Sequence, residues 1–325
     1  MSVFAIDALY YLSAMLFLPL AGAVIALIAR GAAKMVAIIT ALLELALAGG
    51  LLYATLTATG KPGMTIADTA PWLPSFGLNY ALQSDPLSVW LILLTAFLLL
   101  IAIVAPAHNA AHPARAHVSA PLRQPASYYA ALLALVSGML GVFMAHSIFL
   151  FYIFWEAMLV PAYFLIARFA RERGPAIAMR FIIYALGGGL VMLAGLIGLG
   201  AVVASKAGSF DKGFGFNPDA WLQHATGLNI DAGTQTWLFA AIVLGVAVKI
   251  PLLPLHSWLP DTYAESPAPV TVLIAGVMSK TGVYVLLRFG VMLFPLGAAN
   301  WQPWLAGLAI AGILYGALAA LAANS

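Results

Sequence analysis

The 325-residue sequence contains no cysteine, which excludes disulfides, thiolate zinc sites, cysteine nucleophiles and cysteine-ligated iron–sulfur clusters. Charge is nearly as scarce: 8% of residues are Asp, Glu, Lys or Arg, against about 25% in soluble domains. No basic stripe or charge run is present, so the net charge of +3 is not the footprint of nucleic-acid binding. Nor is there a basic segment ahead of the first apolar run. Met1 to Asp7 carries no Lys or Arg, and that run reads as a retained helix rather than a cleaved signal.

What is present is hydrocarbon. Hydrophobic residues make up 64% of the chain, too many for a soluble globule to cover with polar surface, and the expected solvent is therefore lipid. Apolar runs long enough to cross a core of about 30 Å, which takes about 20 helical residues, are expected near 7–29, 35–56, 87–105, 127–146, 148–167, 177–203, 237–259, 269–290 and 303–323. The expected fold class is an all-α polytopic membrane helix bundle.

Basic residues divide unevenly between alternate loops. One side holds Arg30, Lys34, Arg115, Arg123, Arg168, Arg171, Arg173 and Arg180, and the other holds Lys61, Lys206 and Lys212. The richer side is expected to face the cytoplasm across an inner (cytoplasmic) membrane, with the N-terminus outside. Two longer loops, near 57–84 and 204–236, then fall outside and carry turn clusters such as Lys61-Pro62-Gly63 and Phe216-Asn217-Pro218-Asp219. Asp85-Pro86 is a helix start, with Asp85 placed to cap and Pro86 where its missing donor costs nothing. The chain ends at Ala323-Asn324-Ser325 directly after an apolar run, and this reads as a fragment of a longer polypeptide.

Ionisable residues inside these runs need a reason, since each costs at least about 2.5–3.5 kcal/mol at the bilayer centre. Counting along the runs places Glu156, Lys249 and Lys280 at depths of roughly 12, 18 and 16 Å, all near the midplane. Glu156 and Lys249 in contact satisfy two readings: a static ion pair that locks two helices, or a switchable proton site. Lys280 favours the second, because one carboxylate cannot neutralise two cations.

Pro251 and Pro254 are expected to break the seventh span and free the carbonyls of Ala247 and Ile250 for water or a lysine ammonium, although a packing kink is the plainer alternative. Pro161 is expected to loosen the fifth span in the same way. His256 is either a proton shuttle or a hydrogen-bonded structural histidine. Glu44 has no evident partner and reads as a buried structural acid that stays protonated. Gly187-Gly188-Gly189 reads as a small-residue packing face without chemistry. His108, His112 and His117 read as a solvated loop rather than a metal site, and nothing in the spacing of His146 and His256 demands haem.

Three segments carry a resemblance. Phe154-Trp155-Glu156-Ala157-Met158-Leu159-Val160-Pro161, the stretch from Lys249-Ile250-Pro251 through His256 to Pro260-Asp261, and the stretch from Ser266-Pro267 through Lys280-Thr281-Gly282 to Leu287-Arg288-Phe289 resemble the antiporter-like subunits of complex I, particularly the subunit M (chain 4) type. The resemblance implies an inverted-repeat fold with a discontinuous helix seven, the first repeat present and the second largely missing. Residues 1–125 would be an N-terminal group of three helices with an outer loop, 126–292 the first repeat, and 293–325 the ninth helix.

It further implies proton translocation, with Glu156 as the paired glutamate, Lys249 as its partner, Lys280 as the relay lysine and His256 as the histidine of the broken helix. The implied partners are other membrane subunits of a respiratory complex, together with lipid, water and protons. No cofactor or metal is implied in this chain; NADH, FMN, iron–sulfur clusters and quinone would belong to the parent NADH:quinone oxidoreductase. A multisubunit cation/proton antiporter, a membrane-bound hydrogenase subunit and a non-conducting membrane scaffold are the competing expectations.

Overall fold

Long apolar stretches with few helix breakers can satisfy their backbone groups in lipid only as helices, and helices dominate the computed structural model, which describes residues 10–57, 66–73, 78–105, 124–170, 172–208 and 230–322. Helix α1 (Tyr11–Ala29) turns at Arg30–Ala32 into α2 (Ala33–Thr57), and the two lie antiparallel. The Tyr11 hydroxyl donates to the Leu47 carbonyl at 2.6 Å, and Gly22 admits the Thr40 side chain. This hairpin makes two crossings of the single apolar stretch Tyr11–Thr57, so the eight apolar stretches among the described residues give nine crossings, as the sequence leads one to expect.

The connection after α2 is not simply a loop. Strands β1 (Ala67–Leu73) and β2 (Leu78–Gln83) pair antiparallel, with an irregularity between Pro71 and Leu73. The hairpin bonds to two segments of the bundle. Asp68 of β1 accepts from the Ser13 N–H at 2.7 Å and from its hydroxyl at 2.8 Å, giving α1 the N-terminal cap that its own sequence lacks. On β2, the Ala81 carbonyl accepts from the His146 N–H at 2.9 Å.

Helix α3 (Pro86–Val104) starts as expected: Asp85 accepts from the Ser88 N–H, the Ser88 hydroxyl accepts from the Asp85 N–H, and Pro86 stands first. Helix α4 (Ala126–Met144) is the central element, with 15 of its 19 residues buried, and α1, α2 and α3 all pack on it. Helices α5 (Ile148–Ala157) and α6 (Leu159–Phe169) form one interrupted crossing. Helix α7 (Gly174–Ala207) follows and ends on Gly208 in the left-handed region, φ 65°. At 34 residues it is about 51 Å long, well beyond the hydrocarbon thickness.

Helix α8 (Ala232–Lys249) is capped by Asp231, whose carboxyl accepts from the hydroxyl and N–H of Thr234; those bonds hold it below the usual carboxylate range. After a non-helical segment comes the short α9 (Leu259–Glu265). The eighth crossing, Ala268–Val291, alternates α10 (Ala268–Leu273), a wide π turn over Ile274–Met278, α11 (Ser279–Val285) and a second π turn over Leu286–Val291. Helix α12 (Pro295–Ala322) lies outermost, with Gly297 its one buried residue. The ends bearing Arg30, Arg168, Arg173 and Arg180 lie on one face and the β-hairpin on the other. His108, His112, His117, Lys61, Lys212, Arg115, Arg123, Arg171 and the two turn clusters lie outside the described residues.

Candidate functional site

Both helices that bring a charge inward stop where they do so. Proline at 251 removes one N–H and clashes with the carbonyl four residues back, so α8 cannot continue past Lys249. The seventh span therefore ends at Lys249 and does not run on to 259. Of the two carbonyls expected to open toward water or lysine, that of Ala247 is already used, accepting from the Leu252 N–H at 2.8 Å. The neighbouring Val248 carbonyl accepts from the Trp258 indole at 3.0 Å. In the fifth crossing Pro161 has the same effect. Its missing donor falls opposite Ala157, the helix breaks at Met158, and Pro161 sits in the first turn of α6. Gly138 of α4 leaves the room that the break needs, since a Cβ there would lie 2.7 Å from the Met158 Cβ.

Lys249 is 2% exposed. Its Nζ donates to the Trp155 carbonyl at 3.1 Å and stands 3.4 Å from the centroid of the Trp155 ring. No ion pair joins it to Glu156, the next residue along. Both carboxyl oxygens of Glu156 are buried without a hydrogen-bond partner; Tyr152, one turn earlier, brings its hydroxyl beside them but not into bonding geometry. The expected contact pair is thus an adjacent acid and base, with the base parked on the residue before the acid.

Gly282 of α11 fits against this break, where a Cβ would approach the Ile250 Cγ1 to 2.7 Å and the Lys249 Cβ to 3.5 Å. Lys280 belongs to the eighth crossing, and its side chain is exposed among the described residues, with Nζ donating to the Ala275 carbonyl at 2.7 Å. It follows the π turn at 274–278, which widens the helix there.

His256 lies in the non-helical segment and sets its ring edge-on to Tyr315 of α12, centroids 4.9 Å apart. Its Nδ1 is buried without a hydrogen bond, and among the described residues no hydrogen bond links it to either lysine. Glu44 is fully buried, and neither of its oxygens has a hydrogen-bond partner.

Residues that sequence reasoning passed over complete the site. Trp155 is the seat of the lysine, and its position beside Glu156 was the available signal. The glycine run of α7 divides its work: Gly187 faces open space, Gly188 packs on Gly245 and Val248 of α8, and Gly189 faces the Glu156 carboxyl. The arrangement places a buried amine beside a buried carboxyl, with the amine held by a neutral carbonyl and an aromatic face.

A family model described as NADH:quinone oxidoreductase/Mrp antiporter, TM, matches residues 145–325, which include Trp155, Glu156, Lys249, His256 and Lys280. The chain is 34% identical over 335 residues to NADH-quinone oxidoreductase subunit M of Mycobacterium tuberculosis, covering 96% of this chain and 60% of that one. It is 34% identical over 263 residues to NAD(P)H-quinone oxidoreductase chain 4 of Prochlorococcus marinus, covering 81% and 45%. Among solved structures it is similar to a chain of respiratory complex I from Thermus thermophilus with bound NADH, with a TM-score of 0.76 and 27% identity over 96% of this chain and 60% of that one. The chain therefore spans about half the length of the curated relatives it matches.

Proposed function

The chain belongs to the NADH:quinone oxidoreductase/Mrp antiporter transmembrane family, and from that premise we propose that it translocates protons as a membrane subunit of a redox-driven NADH:quinone oxidoreductase. Its fold is that of the antiporter-like membrane subunits of complex I. One observation carries the functional reading: a lysine in the interior of a membrane bundle rests on a neutral carbonyl and an aromatic face, immediately beside a buried acid that it does not touch.

Such a lysine has two seats. On Trp155 it is held by a cation–π contact worth about 2 kcal/mol when desolvated; swung onto Glu156 it is held by opposite charge. Moving one charge through 100 mV takes about 2.3 kcal/mol. The two energies match, so a modest electrostatic change in a neighbouring subunit is enough to reseat the lysine. On Glu156 the carboxylate supports the ammonium; when the lysine returns to Trp155 that support is gone, and the proton leaves toward a neutral Lys280. Lys280, whose side chain is exposed, hands it to the protein that covers it. His256 exchanges protons between this row and the side bearing Arg173 and Arg180, which is the cytoplasmic side of the inner membrane, with the N-terminus outside.

In this reading residues 126–292 are the working repeat, 1–125 the supporting helices and 293–325 the start of the next repeat. Other membrane subunits are the partners, and electron transfer and its cofactors lie in other chains. Lys249→Ala and Glu156→Gln in the assembled complex are expected to abolish proton pumping in vesicles. Normal pumping at normal assembly in both variants would leave the chain a scaffold, and sodium-dependent proton flux would make it a cation/proton antiporter.

A further inference from the structure

Gly188 and Gly189 are adjacent on α7, about 100° apart around the helix, and so face different neighbours. A Cβ at Gly188 would stand 2.9 Å from the Gly245 carbonyl oxygen and 3.0 Å from the Val248 Cγ2, so this glycine sets the approach of α8, the helix that ends in Lys249. At Gly189 the situation differs. A Cβ there would overlap Glu156 Oε1 and would lie 3.0 Å from the Cδ and 3.5 Å from Oε2; no backbone is among these three nearest atoms. The space a side chain would fill at 189 holds the carboxyl group of Glu156.

We propose that Gly189 is a positioning residue for Glu156: its missing side chain is the recess that seats the carboxyl beside Lys249. The inference rests on the proton-translocation reading above and adds the residue that sets the reach of the acid. One helix thereby registers both partners, the lysine through Gly188 and the acid through Gly189. Neither oxygen of Glu156 accepts a hydrogen bond in good geometry, although the Tyr152 hydroxyl lies beside them, so the shape of the recess contributes to keeping the carboxyl in place.

The two glycines respond differently to a methyl group. At 188 the methyl meets backbone and a β-branched side chain, which cannot withdraw. At 189 it meets the far end of a flexible side chain, which can. Gly189→Ala is therefore expected to assemble normally while pushing the carboxyl off its seat, and displacements of this kind cost about tenfold or more in rate.

The test is proton pumping by the intact complex in vesicles, with assembly measured alongside and rates followed across pH. Gly189→Ala is expected to slow pumping about tenfold and change its pH profile. Gly187→Ala, which faces open space, is expected to match the parent. Glu156→Asp, one methylene shorter, restores room, so the double variant Gly189→Ala/Glu156→Asp is expected to pump faster than Gly189→Ala alone; a merely structural defect gains nothing from it. Normal pumping in Gly189→Ala while Glu156→Gln is inactive overturns the positioning role and leaves the proton reading intact. Loss of assembly in Gly189→Ala, or no rescue in the double variant, also overturns it. If Glu156→Gln itself pumps normally, the proton reading fails first and this inference with it.

Discussion

Lys249 and Trp155 stand 94 residues apart in sequence, yet the lysine Nζ bonds the tryptophan carbonyl and covers the tryptophan ring at the same time. The carbonyl survives any substitution at 155, whereas the ring does not. Trp155→Phe, which keeps an aromatic face, is expected to retain most proton pumping. Trp155→Leu loses a contact of about 2 kcal/mol, or roughly 30-fold in the occupancy of that seat. A fall of about tenfold in pumping for Leu, with Phe near the parent at equal assembly, is the expected pattern.

At the hairpin face, Asp85 serves two helices. It caps α3 and also lies 2.9 Å from Arg288 Nη1 in the second π turn, with 18% and 21% of the two side chains exposed. Asp85→Ala removes a cap worth about 1 kcal/mol and a charged hydrogen bond worth about 1.5–3 kcal/mol. Asp85→Asn keeps a capping oxygen and loses only the charge. Thermal unfolding of the purified assembly is expected to rank them parent, Asn, Ala.

The hairpin's hold on α1 is expected to weaken in alkali. Tyr80 donates to the Ser13 hydroxyl at 3.0 Å, and Ser13 in turn donates to Asp68. Burial pushes the Tyr80 phenol above its ordinary 10.0, its bond to Ser13 opposes that shift and the Asp68 charge adds to it. The folded chain thus binds this proton more tightly than the unfolded chain. Its contribution is complete below about pH 10 and is lost as pH rises through the folded value. Tyr80→Phe is expected to flatten the loss of stability above pH 10, read by thermal unfolding across pH.

Glu44 has no hydrogen bond to lose. Glu44→Gln keeps its shape without a charge and is expected to change stability by less than about 1 kcal/mol, within the range of mutations that break no specific contact. Proton pumping is expected to match the parent. A large fall at normal assembly would place Glu44 in the translocation path after all.

The crossings were legible because composition and run length are properties of neighbouring residues, and so were the start at Asp85 and the helix ends near Pro251 and Pro161. The buried charges Glu156 and Lys249 were legible for the same reason. Sequence position was a poorer guide to orientation. Lys280 was legible as a charge within an apolar run, but hydropathy carried no sign of the π turn before it or of its exposed side chain. The β-hairpin was hidden in a turn-rich loop, although Leu78, Tyr80 and Leu82 alternate as a strand does.

By itself the sequence determined that this chain lives in lipid, how many times it crosses, where its helices fail and which acids and bases are stranded there, because each follows from local composition and backbone chemistry. Only the tertiary structure decided that Lys249 sits on Trp155, that Asp68 caps a helix 55 residues away, and that Gly189 rather than Gly188 faces Glu156. Those outcomes depend on how helix faces rotate against one another, which is set by packing between segments distant in sequence and carries no local signal.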